Sequence, residues 1–350
     1  MKHLPLETQT LYAELFERLT AFEASRAIGH ARGTFVTKTV KGEVYVYFQY
    51  LEPGGTKRQL YLGKKDSALE KVVSEYQESR LDAAEERASI ERLCALLRVG
   101  GALTTDASSA RVLRGLADAG VFHVGGVLVG TQAFSVIGNL LGVSWSEPWL
   151  RTQDIDIVAD TGVTLAFDDA DVLTALEQLK MGFLPVPALD ARQPSTSFKV
   201  RGKALRVDLL VPTARHEPGS PVQVARFKAA AQPLPYLDYV SQGFVRAAVV
   251  DGGGVLVNVP SPARFAFHKL IVAGERPAAM HTKRDKDLQQ ARQLLRVLVD
   301  ERPGDVRLAW DALAERGEGW ITKAIDGLHA VAASEPDVTD DLVRMLDLVM

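Results

Sequence analysis

Cysteine is nearly absent from the sequence, with Cys94 the only one among 350 residues. One cysteine excludes an intramolecular disulfide and a cysteine-rich metal site, and its apolar neighbours predict a buried thiol rather than a nucleophile. The 7 histidines are scattered without the spacing of metal ligands. No Gly-x-Gly-x-x-Gly or Gly-Lys-[Ser/Thr] element occurs, which argues against the two common glycine-rich nucleotide loops.

Long uninterrupted apolar runs and a strong net charge are also missing. The most apolar stretch, residues 122–141, is broken by glycines and by polar side chains, so no membrane span is predicted. The first residues do not resemble a secretory leader, and we expect a soluble, cytoplasmic protein. Lys and Arg total 41 against 44 for Asp and Glu, and the net charge of −3 excludes a uniformly basic nucleic-acid coat.

Hydrophobic periodicity divides the chain into three segments. Residues 1–100 combine an N-terminal helix, three β-branched and aromatic runs typical of a three-stranded meander, and a long polar helix. Residues 101–260 alternate strand-like and helical patterns, and residues 261–350 are mostly helical. The sequence therefore predicts an α/β (α+β) fold, with the chemistry in a mixed-sheet middle segment.

The sharpest local pattern is Asp154-Ile155-Asp156-Ile157. Residues two apart share one face of a strand, so both carboxylates point the same way while both isoleucines enter the core. Paired carboxylates on a rigid strand suit Mg²⁺, which prefers oxygen ligands. A solvated strand face is the alternative interpretation.

Two further elements favour the metal interpretation. Upstream, a strand ends at Gly130-Thr131 and leads into a helix, where backbone N–H groups favour phosphate, although a plain turn fits equally well. Downstream, Asp208 lies in an otherwise apolar strand, where an unpaired carboxylate is costly. Arg206 flanks Asp208 but is expected on the opposite strand face, so local pairing does not explain the acid.

Together these elements resemble the polymerase-beta-like nucleotidyltransferase superfamily, and in particular a group of predicted bacterial nucleotidyltransferases. The matching residues are Gly130, Thr131, Asp154, Asp156 and Asp208. The resemblance covers about residues 122–300. The stretch between Thr131 and Asp154 is longer than is usual in the superfamily, and residues 142–149 within it are predicted to form an extra loop over the site.

The resemblance implies a Mg²⁺-dependent enzyme, with Mn²⁺ as a substitute, that moves a nucleoside monophosphate from an NTP to an acceptor hydroxyl. Asp154 and Asp156 would hold two metal ions, and Asp208 would join the second and help to deprotonate the acceptor. In the helical tail, Lys269 and the Lys286-Asp287 pair match positions that imply triphosphate contact and helix positioning. A solvated charged face is the alternative for these lysines.

The acceptor is left open by the site residues: RNA, a protein hydroxyl or a small molecule. Residues 31–65 hold seven Lys or Arg against two Glu, a net charge of +5, and the aromatic residues Tyr45, Tyr47, Phe48, Tyr50 and Tyr61 are interleaved with this charge. Such a surface suits RNA or DNA through phosphate attraction and base stacking, although aromatic residues also simply favour strands. A catalytically silent, toxin–antitoxin-like or nucleic-acid-binding module and a metal-dependent nuclease are the alternative functions.

Overall fold

The computed structural model describes most of the chain. The N-terminal part contains two long helices that are joined by a β-meander. The described residues are 1–27, 33–40, 42–51, 57–145, 153–159, 170–188, 190, 192–214, 219–332 and 336–348. Helix α1 (Leu6–Ala27) packs against α2 (Ser67–Val99), whose N-cap Asp66 accepts a hydrogen bond from the Leu69 N–H at 2.8 Å. Between them, β2 (Gly33–Val40), β3 (Glu43–Leu51) and β4 (Lys57–Lys64) form the predicted antiparallel meander.

The middle of the chain forms a seven-stranded mixed sheet. Five of its strands are hydrogen-bonded in the order β11-β12-β10-β7-β5, and β9 joins β10 and carries β8. Strand β10 is parallel to β7 and β12, whereas β5–β7, β9–β10, β8–β9 and β11–β12 are antiparallel. The bounds are β5 Gly126–Val129, β7 Asp154–Ala159, β8 Phe183–Pro185, β9 Ser197–Val200, β10 Arg206–Thr213, β11 Val222–Val224 and β12 Ala229–Pro235.

Helices and two small strand pairs surround this sheet. Strand β1 (Lys2–His3) pairs with β6 (Val143–Ser144), and β13 (Val245–Val249) pairs with β14 (Val255–Val259). The helices of the middle and C-terminal parts are α3 Ala107–Asp118, α4 Gly130–Leu140, α5 Val172–Gln178, α6 Leu237–Ser241, α7 Pro262–Glu275, α8 His281–Glu301, α9 Pro303–Ala314, α10 Glu318–Ala332 and α11 Pro336–Leu346. None of the helices in the described ranges is long and apolar enough to cross a membrane.

Two apolar clusters hold these elements together. The larger one joins the mixed sheet to helices α7–α11, and the smaller one joins α1 and α2 to the β13–β14 hairpin. In the smaller cluster the Tyr12 hydroxyl donates to the Ala248 carbonyl at 3.1 Å and accepts from the Ala248 N–H at 3.0 Å. Cys94 is fully buried in this cluster, as predicted, and burial raises the pKa of its thiol to about 11. The division into segments 1–100, 101–260 and 261–350 stays a prediction.

The α/β fold class is confirmed, with one strand shorter than its sequence suggests. Residues 121–129 read as one buried strand, but β5 begins only at Gly126. Gly120 and Gly125 adopt φ values of 83° and 89°, so the chain turns twice before the strand starts. Burial of Val121 and Phe122 in the turn explains why hydropathy alone extended the strand.

Candidate active site

Strand β7 presents the two predicted carboxylates on one face. Asp154 is exposed and Asp156 is half-buried, whereas Ile155 and Ile157 are fully buried. This alternation follows from the two-residue period of a strand and confirms the predicted orientation. The apolar residues anchor β7 in the core, so the carboxylates project from a rigid support.

The neighbouring strand brings the third acid beside the pair. In the parallel register of β10 and β7, Asp208 lies opposite Asp156, and Arg206 lies opposite Asp154. Cross-strand partners project from the same face of a sheet, so three acids and one guanidinium share this face.

Helix α4 begins directly against the central acid. Gly130 follows β5, has a φ of 70°, and is the first residue of α4. A Cβ atom at this position would lie 2.3 Å from Asp156 Oδ2, so a larger residue would displace the carboxylate. Glycine is required here both by the backbone conformation and by the close approach of the acid.

The surroundings of Asp156 disfavour its charged form. Burial, followed by the charges of Asp208 and Asp154, raises its pKa to about 6, and the charges of Lys269 and Arg206 act in the opposite direction. Residues far apart in the sequence therefore influence one carboxylate, and negative charge is concentrated around it.

Asp208 is paired with Arg206, contrary to the sequence-based expectation. Arg206 Nε donates to Asp208 Oδ1 and to Ser197 Oγ, each at 2.8 Å. The expectation was wrong because residues 206 and 208 are two apart and share a strand face. The guanidinium accounts for the half-buried acid without a metal ion.

The helical tail contributes a buried ion cluster. Lys269 on α7 donates to Asp287 Oδ1 on α8 at 2.7 Å, and Arg276 binds Asp287 Oδ2 at 2.9 Å. Burial alone would raise the pKa of Asp287, but the two cations outweigh burial and lower it. Helix positioning by Lys269 and Asp287 thus has a direct structural basis, whereas triphosphate contact by Lys269 stays a prediction.

Lys286 lies within electrostatic reach of the carboxylates. Burial and the charge of Lys269 lower the pKa of Lys286, while Asp287, Asp154 and Asp156 act to raise it. The fold therefore brings this lysine toward the acids on β7. The sequence had identified Lys286, but nothing in it showed that this lysine would come within electrostatic reach of β7.

The carboxylates suit a hard cation in their chemistry. Asp154, Asp156 and Asp208 supply only oxygen donors, as Mg²⁺ or Mn²⁺ prefers, and a bound cation would relieve the repulsion around Asp156. Within the described ranges, however, no three His, Cys, Asp or Glu side chains are grouped closely enough to hold a metal ion. The pairing of Asp208 with Arg206 is consistent with this finding.

A family profile described as nucleotidyltransferase matches residues 107–315, well over half of the chain and including all of these site residues. The chain belongs to the nucleotidyltransferase family. A nucleotide is therefore its substrate. No curated protein matches the sequence. The crystal structure of an antigenic nucleotidyltransferase-like protein from Paracoccidioides brasiliensis is similar to this nucleotidyltransferase with a TM-score of 0.40 and 17% identity, covering 69% of this chain and 94% of that one.

The predicted loop at residues 142–149 was partly wrong for this nucleotidyltransferase. Val143 and Ser144 form β6, and Trp145 is buried, stacks on Phe134 at 4.7 Å, and donates its indole N–H to the Phe134 carbonyl at 2.7 Å. The glycine, serine and proline residues of this stretch are typical of turns, and for that reason the sequence suggested a loop. Residues 146–149 of the predicted loop lie outside the described residues.

Proposed function

We propose that the chain is a polymerase-beta-like nucleotidyltransferase that moves a nucleoside monophosphate from an NTP to an acceptor hydroxyl by a two-metal mechanism. The groups that surround the Asp156 carboxylate support this proposal. The carboxylate touches the start of α4, lies opposite Asp208, and interacts electrostatically with Asp154, Lys269 and Lys286. A bacterial origin and a cytoplasmic location stay predictions.

The chain's own residues have distinct roles in this proposal. The N–H groups at the start of α4, at Gly130 and Thr131, would bind phosphate oxygens, because a helix N-terminus favours negative charge. Lys269 and Lys286 would offset the charge of the triphosphate. Asp208 would accept the proton of the acceptor hydroxyl once its bond with Arg206 is released.

Asp154, Asp156 and Asp208 would hold Mg²⁺ or Mn²⁺ once Arg206 releases Asp208 and the carboxylates move closer together, because the described residues do not group them as a metal site. When bound, the metal would neutralise the carboxylates, polarise the α-phosphate and stabilise the pyrophosphate leaving group. In the absence of the cation, Arg206 provides part of this neutralisation by pairing with Asp208.

The Arg206–Asp208 pair also supports a second candidate, a binding module that has lost catalysis. A carboxylate that is permanently held by arginine cannot serve as a metal ligand or a base. The two candidates differ in whether Mg²⁺ binds. Mg²⁺ should raise the unfolding temperature of the first and leave that of the second unchanged.

Label transfer tests the first proposal directly. Purified protein is incubated with Mg²⁺ and each α-³²P-labelled NTP, beside total RNA, lysate proteins and a small-molecule fraction. We expect label on one acceptor class and no transfer in the presence of EDTA. The double variant Asp154→Asn/Asp156→Asn should transfer label at least about a thousandfold more slowly than the unaltered protein. Asp311→Asn, an exposed acid on α9, is the matched control and should transfer normally.

Two outcomes would contradict the proposal. Transfer that persists in the double variant would place the chemistry elsewhere. A protein that binds no NTP by calorimetry and transfers label to no acceptor would fit the silent module instead.

A further inference from the structure

The meander places three of its tyrosines on one face and its two phenylalanines, with Tyr50, on the other. Tyr45, Tyr47 and Tyr61 share one face, because Tyr45 and Tyr47 are two apart on β3 and Tyr61 pairs with Tyr47 across β4. Lys38, Gln59 and Lys57 lie on the same face by the same register. We call this set of six residues the tyrosine face.

The opposite face is mainly apolar. Phe35 and Phe48 lie there with ring centroids 5.2 Å apart, and Tyr50 stacks on Phe48 at 6.3 Å. Val46, two residues from Phe48 on β3, is buried. Arg58 also belongs to this face, because it pairs with Tyr50. The tendency of aromatic residues to form strands and bury one side accounts for the face that contains Val46, but it does not account for the exposed ring of Tyr61 on the other face.

The tyrosines form a linked group. The Tyr61 ring centroid lies 5.4 Å from that of Tyr47 and 6.2 Å from that of Tyr45, and Tyr61 is 55% exposed. Lys38 Nζ lies 4.7 Å from the Tyr47 ring centroid and donates to Gln59 Oε1 at 2.7 Å. Tyr45 and Tyr47 are half-buried, so one exposed ring, two partly exposed rings, a cation and an amide group lie side by side on a sheet surface.

We propose that the tyrosine face binds single-stranded RNA. Unpaired bases stack on exposed aromatic rings, and lysines attract the phosphates. The glutamine amides and tyrosine hydroxyls can hydrogen-bond to base edges and to the ribose 2′-hydroxyl. The net charge of +5 over residues 31–65 is complementary to a polyanion, although Arg32 and Lys41 lie outside the described residues.

The tyrosine face would hold the acceptor if the proposed nucleotidyl transfer is correct, and that part rests on the proposed function. An RNA strand ends in a free hydroxyl, which is the group that the reaction consumes. RNA binding does not depend on catalysis, and so the RNA-binding proposal and the proposed function can be contradicted independently. A protein that binds RNA but transfers no nucleotide would overturn the proposed function and leave the RNA-binding proposal intact.

Fluorescence anisotropy with a labelled, unstructured RNA of about twelve nucleotides tests the proposal, a length within the usual range of single-strand sites. We expect Tyr47→Ala/Tyr61→Ala to weaken binding by at least about tenfold, because each stacked base contributes substantially to affinity. Tyr61→Phe keeps the ring and should bind nearly as well as the unaltered protein. Lys57→Ala should weaken binding and reduce its dependence on salt.

Arg58→Ala is the matched control, because it removes an equal charge from the opposite face of the same strand. Arg58→Ala should weaken RNA binding less than Lys57→Ala, and circular dichroism should show that all variants remain folded. Equal losses from both faces, or no RNA binding at low salt, would overturn the proposal. Equal or tighter binding of single-stranded DNA or of duplex RNA would overturn the assignment to single-stranded RNA.

Discussion

At the scale of single residues, Gly130 connects backbone conformation to the chemistry of the site. Its positive φ starts α4, and its missing side chain leaves room for the Asp156 carboxylate. The strand-to-helix pattern identified Gly130 from the sequence. The contact with Asp156 was not predictable, because it depends on the pairing of β5 with β7.

Replacement of Gly130 by alanine should damage both stability and transfer. We expect Gly130→Ala to lower the free energy of unfolding by about 1–2 kcal/mol, because alanine is strained in a left-handed backbone. The rate of nucleotidyl transfer should fall about a hundredfold, because the Asp156 carboxylate must move. Gly120→Ala is the matched control: its φ is 83°, and a Cβ there meets nothing within 4 Å. Chemical denaturation and label transfer should show similar destabilisation but lost activity only in Gly130→Ala. Equal activity in the two variants would contradict the role given to the contact.

The two-residue period of side chains along a strand also explains one correct and one wrong prediction. Counting by twos placed Asp154 and Asp156 together correctly, because β7 is regular over both positions. The same counting, applied correctly to β10, would have placed Arg206 beside Asp208. The additional bond from Arg206 to Ser197 depends on the β9–β10 pairing.

At the scale of elements, the cluster around Asp287 holds α7 and α8 in register. Lys269 and the α7 C-cap residue Arg276 both bind this one buried acid, which is only 3% exposed. The sequence predicted both helices, but it did not show that one carboxylate joins two cations. Because Lys286 precedes Asp287, the same cluster also positions a lysine near the acids on β7.

Loss of the Asp287 charge should therefore destabilise the protein strongly. Asp287→Asn leaves Lys269 and Arg276 without their shared counter-ion, and we expect a loss of about 3–5 kcal/mol in the free energy of unfolding. Asp285→Asn, an exposed acid on the same helix, should change it by less than about 0.5 kcal/mol. Urea denaturation measures both variants, and similar values for the two would refute a structural role for the cluster.

At the scale of the whole molecule, buried groups make stability depend on pH. His268 on α7 is buried, and neither ring nitrogen has a hydrogen-bond partner in the described part of the chain. Burial, followed by the neighbouring Lys269, lowers its pKa from 6.5 to about 3, with Arg276 acting in the same direction and Asp287 opposing. The unfolded chain therefore binds a proton at pH values where the folded protein does not.

This difference in pKa predicts a loss of stability as the pH falls from about 6.5 toward 3. The loss should be smaller in His268→Leu, which has no imidazole to protonate. Relative to its value at pH 7, the stability of the variant at about pH 4.5 should exceed that of the unaltered protein by roughly 2 kcal/mol. Urea denaturation at several pH values provides the comparison, and parallel curves for the two proteins would show that His268 does not titrate in this range.

The sequence by itself determined most of the elements and named the candidate site residues. Strand and helix periods, turn residues and caps act over a few positions, and so the meander, the carboxylate pair on β7 and the α4 start were all predictable. Only the tertiary structure decided which groups meet. Strand register placed Asp208 opposite Asp156, helix packing brought Lys286 within electrostatic reach of them, and cross-strand pairing placed Tyr61 beside Tyr45 and Tyr47. These contacts join residues far apart in the chain, and their free energies depend on burial and charge that no local pattern contains.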